Sequence, residues 1–309
     1  MATRFAISIP QTVADGTFDP VAFRAYLARA EALGFDSAWT SEQVLGSAPV
    51  LSPIETMTYA AACTERLRLG CAVFVSSLHN PVHLAKSLST LDQLSRGRTE
   101  VGVTTGGRFR MFSAFDAEPD SFVARFTEGL ALMKALWTEP RVSFEGRFWR
   151  LDDAAMEPKP FQKPGPPIWF GANHPRSLRR AVRLGDGFIG AGSSTTEQFA
   201  EHVKVVREAL AESGRDPAGF RIAKRVYLGV DDDAERARKR VAAGLDERYG
   251  YFGLRGRLTP VAVSGPPDAC ARGLREVADA GAGMILLNPL FDDAEQMERL
   301  TAEVLPLLR

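Results

Sequence analysis

Apolar and polar positions along the chain alternate between two regimes. Short β-branched or aromatic runs recur at Phe5–Ile9, Asp36–Thr40, Leu67–Val75, Thr99–Thr105, Ile168–Gly171, Gly187–Ala191, Ile222–Val230 and Met284–Asn288. Between them apolar residues fall at helical spacing. In Pro20–Leu33 the stripe is Val21, Phe23, Tyr26, Leu27, Ala30 and Leu33, and Gly34 stops it. In Pro81–Arg96 it is Val82, Ala85, Leu88, Leu91 and Leu94, opened by Pro81 and closed by Gly97. The same signals predict helices over Ser121–Trp137, Pro175–Leu184, Thr196–Ser213, Ala234–Ala243, Pro267–Ala280 and Ala294–Leu308.

Eight strands alternating with helices imply parallel pairing through right-handed crossovers. Closing that sheet removes both edges, so the expected fold is α/β, a (β/α)8 TIM barrel, as a single domain over residues 1–309. The rival, an open doubly wound sheet, calls for a Gly-x-Gly-x-x-Gly turn after the first strand, and IPQTVADG has none. Insertions are expected after strand four (Gly106–Asp120) and after strand seven (Asp246–Pro266). A proline- and aromatic-rich stretch before strand five, Glu139–Pro167, reads as a hairpin plus an extended strap. Such insertions are candidates for walling a pocket.

Composition narrows the partners. The 38 lysines and arginines balance the 38 aspartates and glutamates, so nothing points to nucleic acid or to an anionic membrane surface. The 3 cysteines form no CxxC pair and read as small buried hydrophobes in a reducing compartment. MATRFAISIP is too short and polar for a signal peptide, and no apolar run approaches membrane-spanning length. A cytoplasmic protein is expected.

In such barrels chemistry gathers where strands end. Here the ends read Pro10-Gln11, Ser41-Glu42-Gln43, Ser76-Ser77, Thr104-Thr105-Gly106-Gly107, Gly171-Ala172-Asn173, Gly190-Ala191-Gly192-Ser193-Ser194, Asp231 and Asn288-Pro289. The rim is small, polar and glycine-rich, and Glu42 and Asp231 are its only charges. Asp231 reads as a cap for the helix that follows. The 4 histidines show no metal-ligand spacing, His79 and His83 straddling the helix start at Pro81, so no metal is expected. Neither a GxSxG elbow nor a Walker loop is present. Lys224 lies inside strand seven and reads either as a salt-bridged residue within the barrel or as a Schiff-base lysine, with Arg225 pointing the opposite way. Three glycine-rich or helix-opening ends in succession suit a phosphate-bearing ligand, with Asn173, His174, Arg176 and Ser177 at one helix start. Arg108 and Arg110 could meet phosphates, whereas Arg179, Arg180 and Arg183 read as a solvated helix face.

The segments AEALGFDSAWTSEQ (30–43), TERLRLGCAVFV (64–75), NPVHLAKSLSTLDQLSRGRTEVGV (80–103), FEGRFWRL with MEPKPFQKPGPPIWFGA (144–172), and LRRAVRLGDGFIGAG (178–192) resemble the luciferase-like monooxygenase superfamily, and within it the F420-dependent oxidoreductases. The resemblance implies a deazaflavin, F420, or alternatively FMN, bound at the barrel mouth. The family's strand-two acid–histidine dyad aligns with Glu42-Gln43, the catalytic candidates, with an amide where the imidazole usually stands. A non-proline cis peptide behind the ring would fall at Ala72–Val73. Thr105, Gly106, Gly171, Ala172, Asn173, Arg176 and Ser177 are implicated in holding the cofactor. Where one F420 branch has a catalytic glutamate after strand four, this chain has Gly107, which sets it apart from that branch's sugar-phosphate chemistry. The activities implied are F420-dependent hydride transfer to or from a small organic substrate, an FMN-dependent monooxygenase, or flavin binding without turnover. The resemblance also implies a homodimer.

Overall fold

The computed structural model describes residues 3–13, 16–106, 114–115 and 118–308. In chain order the strands are β1 (Arg4–Ser8), β2 (Ser37–Thr40), β3 (Arg68–Val75), β4 (Thr99–Thr104), β5 (Val142–Glu145), β6 (Arg150–Ala154), β7 (Ile168–Gly171), β8 (Gly187–Gly190), β9 (Arg221–Val230), β10 (Val263–Gly265) and β11 (Met284–Pro289). Parallel ladders run β11-β1-β2-β3-β4-β7-β8, and β9 pairs with both β8 and β11. That double pairing closes the eight-stranded barrel, and each strand expected from the apolar runs is present within a residue or two of its expected ends.

The helices are α1 (Pro20–Ala32), α2 (Pro53–Cys63), α3 (Pro81–Leu94), α4 (Phe122–Thr138), α5 (Pro175–Leu184), α6 (Thr196–Ser213), α7 (Ala234–Tyr249), α8 (Pro267–Asp279) and α9 (Asp293–Arg299). Side-chain acceptors fix several starts: Asp19 caps α1 and Asn80 caps α3, each just before a proline whose missing N–H costs nothing there. Four expectations about the helices need correction. Helix α2 went unread because its buried face is Thr56, Met57, Ala60 and Ala61, which contrasts weakly with its surroundings. Helix α7 continues past Ala243: Gly244 is a close-approach residue rather than a stop, since a Cβ there would sit 2.5 Å from the Leu290 carbonyl oxygen. The cap of α7 is Asp233, which accepts from Glu235 and Arg236 amides, while Asp231 pairs with the Arg236 guanidinium. The last expected helix breaks after Arg299 into a wide turn, Leu300–Val304, and a tight one, Leu305–Leu308, around Pro306, which has no N–H to give.

The main core lies between sheet and helices, and a smaller one fills the lumen. There Trp39 and Trp169 meet edge to face with ring centroids 5.8 Å apart, beside Ala6 and Ala223. Below them Glu100 is 2% exposed. It accepts the Trp169 indole N–H at 2.6 Å and pairs with Arg68 at 2.5 Å and Arg221 at 3.3 Å.

The hairpin forms as β5 and β6, and the end of the strap after it, Lys163–Pro167, lines a cavity of about 340 Å³ with Trp137 and Asp186, away from the barrel mouth. The strap is laid across α3: Ser89 donates to the Pro158 carbonyl, and Asp92 accepts from the Gln162 amide at 2.8 Å and from its side chain at 2.7 Å. Of the stretch after strand four, residues 107–113, 116 and 117, Arg108 and Arg110 among them, lie outside the described residues.

Lys224 fits neither sequence reading. Its side chain points out of the barrel and donates to the carbonyls of Ala191 and Ser194, 3.1 and 2.8 Å away, above the Phe199 ring. Burial brings its ammonium down to about 8.

Two outcomes follow from this packing. Glu100→Ala leaves the buried Trp169 indole N–H without its acceptor and removes the acid between Arg68 and Arg221, so urea unfolding at neutral pH should lose about 1–3 kcal/mol, well beyond the effect of Asp268→Ala in an exposed helical pair; a loss no larger than that of Asp268→Ala contradicts the role given to it. For Lys224 the folded state binds the proton more weakly than the unfolded chain, so its contribution to stability rises with pH between about 8 and the ordinary lysine value of 10.5. The stability of the wild type relative to Lys224→Met should therefore increase across that window, by on the order of 3 kcal/mol at most. A flat or falling difference would rule this out.

Candidate active site

Strand β3 shapes the mouth. Its ladder with β4 slips between Cys71 and Phe74, and the Ala72–Val73 peptide there is cis, where the family resemblance places such a bond. Across from it β4 carries Gly102, where a Cβ would lie 2.1 Å from the Cys71 carbonyl oxygen. The displaced segment forms one wall of a cleft of about 510 Å³. Thr104, Thr105 and Gly106 continue that wall, and the ends of β7 and β8, Gly171–Asn173 and Gly190–Ser193, form the opposite side. Ala72, Val73, Thr105, Gly106, Gly171, Ala172, Asn173 and Ser177 are thus brought together as expected. Arg176 is exposed and does not line the cleft.

The start of α5 is closed on itself. The His174 amide donates to Ser177 Oγ at 3.1 Å, Ser177 Oγ donates to the His174 carbonyl at 2.7 Å, and the Arg176 amide donates to His174 Nδ1 at 3.3 Å. These internal bonds leave the glycine-rich strand ends as the more open cradle for an anion.

Glu42 and Gln43 separate. The Glu42 side chain is 3% exposed. One oxygen accepts the Val75 amide at 2.7 Å and the other meets His79 Nε2 at 2.7 Å. An ionised carboxylate only accepts, so the bond places a proton on Nε2 and leaves Nδ1 as the basic nitrogen of the neutral ring. An imidazole therefore meets Glu42 from just after β3 rather than from position 43; the sequence offered His79 only as a metal ligand, and it lines neither the cleft nor the smaller pocket. The signal was available: an acid without its neighbouring histidine, and a histidine just past the end of the adjacent strand. Gln43 turns the other way, toward Gly46 and the Ala48 carbonyl, and lines a smaller pocket.

That smaller pocket, about 50 Å³, lies between the β1 and β2 loops and the end of β11. Gln11 fixes its floor, donating to the Ser41 and Leu51 carbonyls at 3.0 and 2.8 Å and accepting the Ser41 amide at 2.6 Å. Arg225 lines both spaces and donates to the Ala72 carbonyl at 2.6 Å. Arg248 and Tyr249, at the end of α7, face the same pocket, so the region after strand seven does help wall the mouth. Among the described residues no cluster of three or more histidine, cysteine or acidic groups could hold a metal, and no helix is long and apolar enough to cross a membrane.

The comparisons with known proteins fit this geometry. An F420-dependent glucose-6-phosphate dehydrogenase of Kineococcus radiotolerans is 28% identical over 94% of both chains. Among solved structures, monooxygenase RslO1 of Streptomyces bottropensis superposes with a TM-score of 0.83 at 26% identity, covering 98% of this chain and 99% of that one. An F420-dependent secondary alcohol dehydrogenase in complex with an F420-acetone adduct gives 0.84 at 20% identity over the whole of both chains, a likeness of fold. The family model described as luciferase-like monooxygenase matches residues 3–283, and the chain belongs to that family.

Proposed function

We propose that this chain is an F420-dependent oxidoreductase that moves a hydride between the deazaflavin and a small organic substrate at the barrel mouth. The observation that carries this reading is one juxtaposition. A cleft lined by small residues and backed by the Ala72–Val73 bulge lies beside Val75, whose amide holds the Glu42–His79 pair. The relative from Kineococcus, named for its use of F420, supports the choice of cofactor.

F420, when bound, supplies hydride chemistry; the chain supplies position, charge and protons. Ala72 and Val73 would back its ring, and Thr105, Gly106, Gly171, Ala172, Asn173 and Ser177 would hold its phosphate-bearing side chain. Glu42 is too buried to meet substrate directly and acts as a positioning residue. It holds His79 by Nε2, so that Nδ1 can take or give the proton that accompanies hydride transfer. Gln43 cannot titrate and orients the substrate from the smaller pocket. With Gly107 after β4, a sugar phosphate is not the substrate we assign. An FMN-dependent monooxygenase is the second reading, favoured by the similarity to RslO1.

Titrating the purified protein with F420 and with FMN separates the two. The expected result is saturable quenching of F420 fluorescence with at least tenfold weaker FMN binding; tight FMN binding without an F420 response overturns the proposal. With any substrate whose turnover is followed through F420 fluorescence, His79→Asn should lower kcat by about 10²-fold or more and flatten its pH profile. Glu42→Gln should lower kcat less and shift the profile instead. Unchanged profiles in both variants remove the pair from catalysis.

A further inference from the structure

Arg225 is the one cation that touches both spaces at the mouth among the described residues. It stands on β9 at an inward position, two residues from Ala223 in the lumen core. Its guanidinium donates to the Ala72 carbonyl at 2.6 Å, and Tyr227, whose ring packs on that of Tyr249, follows it on the same face of β9. Its Nε is buried without a partner, and among the described residues no carboxylate pairs with it. A half-buried guanidinium with an unmet Nε and no counter-charge carries a standing cost, and an anion that arrives there relieves it.

The pocket beyond Arg225 has matching features. Arg248 faces it, donating to the Pro289 carbonyl at 3.2 Å, with Asp293 4.0 Å away as its one acid. Two guanidinium groups against one carboxyl leave room for a single negative charge. Burial pushes the Asp293 carboxyl above its ordinary range, which weakens its hold as a competing anion. The rest of the lining is uncharged, with Gln43, Tyr249 and Asn288 polar and Ile9, Trp39 and Val50 apolar. A volume of about 50 Å³ takes roughly three or four water-sized groups, the size of a carboxylate with its attached carbon and too little for a hexose phosphate.

We infer that this pocket receives a carboxylate of the substrate, gripped by Arg225 and Arg248, so that the reacting carbon lies over the adjoining cleft. The substrate class is therefore a small monocarboxylic acid carrying the oxidisable or reducible carbon. Arginine suits the task because its planar fork fits a carboxylate in two bonds. The assignment rests on the reading of the cleft as an F420 site, but recognition of the carboxylate does not need the cofactor.

Calorimetric titration of the cofactor-free protein with propionate and with propionamide, in a buffer without carboxylates, tests it. Propionate should bind at least tenfold more tightly than its neutral isostere. Arg225→Met should bring the two within twofold, Arg225→Lys should keep a reduced preference, and Arg248→Met should fall between. Equal binding of the two probes by the wild type, or an undiminished preference in Arg225→Met, overturns the inference. If Arg225→Met fails to fold, the wild-type ratio and Arg225→Lys decide. Parallel F420 titration of the same proteins keeps the questions apart: F420 binding with no carboxylate preference defeats this inference alone, and carboxylate binding without F420 binding defeats the cofactor reading alone.

Discussion

The pairing of β9 with both β8 and β11 is the constraint on which the rest depends. Gly187 to Gly190 register with Arg221 to Lys224, and Ala223 to Leu228 register with Met284 to Pro289. Closure at this seam fixes which side chains of β9 face inward, because successive residues on a strand alternate. Arg221, Ala223, Arg225 and Tyr227 go to the lumen, and Lys224 and Val226 go to the helix layer. A slip of one residue would exchange Lys224 for Arg225 and remove the mouth's guanidinium. The buried Glu100 cluster stabilises the far end of the same lumen, where one carboxylate holds residues from three strands.

The two ends of the barrel thus divide the work. The lower end is closed by ion pairs and the two tryptophans, and it gives the strands a rigid frame. The upper end carries small residues, a displaced β3 and side chains whose hydrogen bonds are incompletely met. Lys224 links the two layers from outside: by holding the Ala191 and Ser194 carbonyls it sets the loop that lines one side of the cleft. The Glu42–His79 pair performs a similar service from β2 and the turn after β3, with an imidazole borrowed from another segment. The acid at position 42 thus has an imidazole partner although position 43 holds an amide.

Much of this was legible in the sequence, for physical reasons that differ by element. The eight strands announce themselves because a parallel strand buried on both faces is a nearly continuous apolar run. Helices with strong stripes and proline starts were equally plain, whereas α2, with a face of threonine and alanine, was not. The glycine-rich strand ends pointed to the cleft, and family likeness placed the cis bond at Ala72–Val73. What could not be read were contacts between distant segments. Periodicity says which face of an element is buried, but not that His79 reaches Glu42, nor which of Lys224 and Arg225 enters the lumen. A glycine needed for close packing, such as Gly244, and a glycine that ends a helix look alike in one dimension.

The central claim, that the mouth between the Ala72–Val73 bulge and the β7 and β8 loops holds a deazaflavin, is tested most directly by a crystal structure of the chain grown with F420. The account predicts density for the ring against Ala72 and Val73, with the phosphate near Gly171–Asn173 and Gly190–Ser193. Density for the ring at any other site, or an empty mouth at saturating F420, would contradict it.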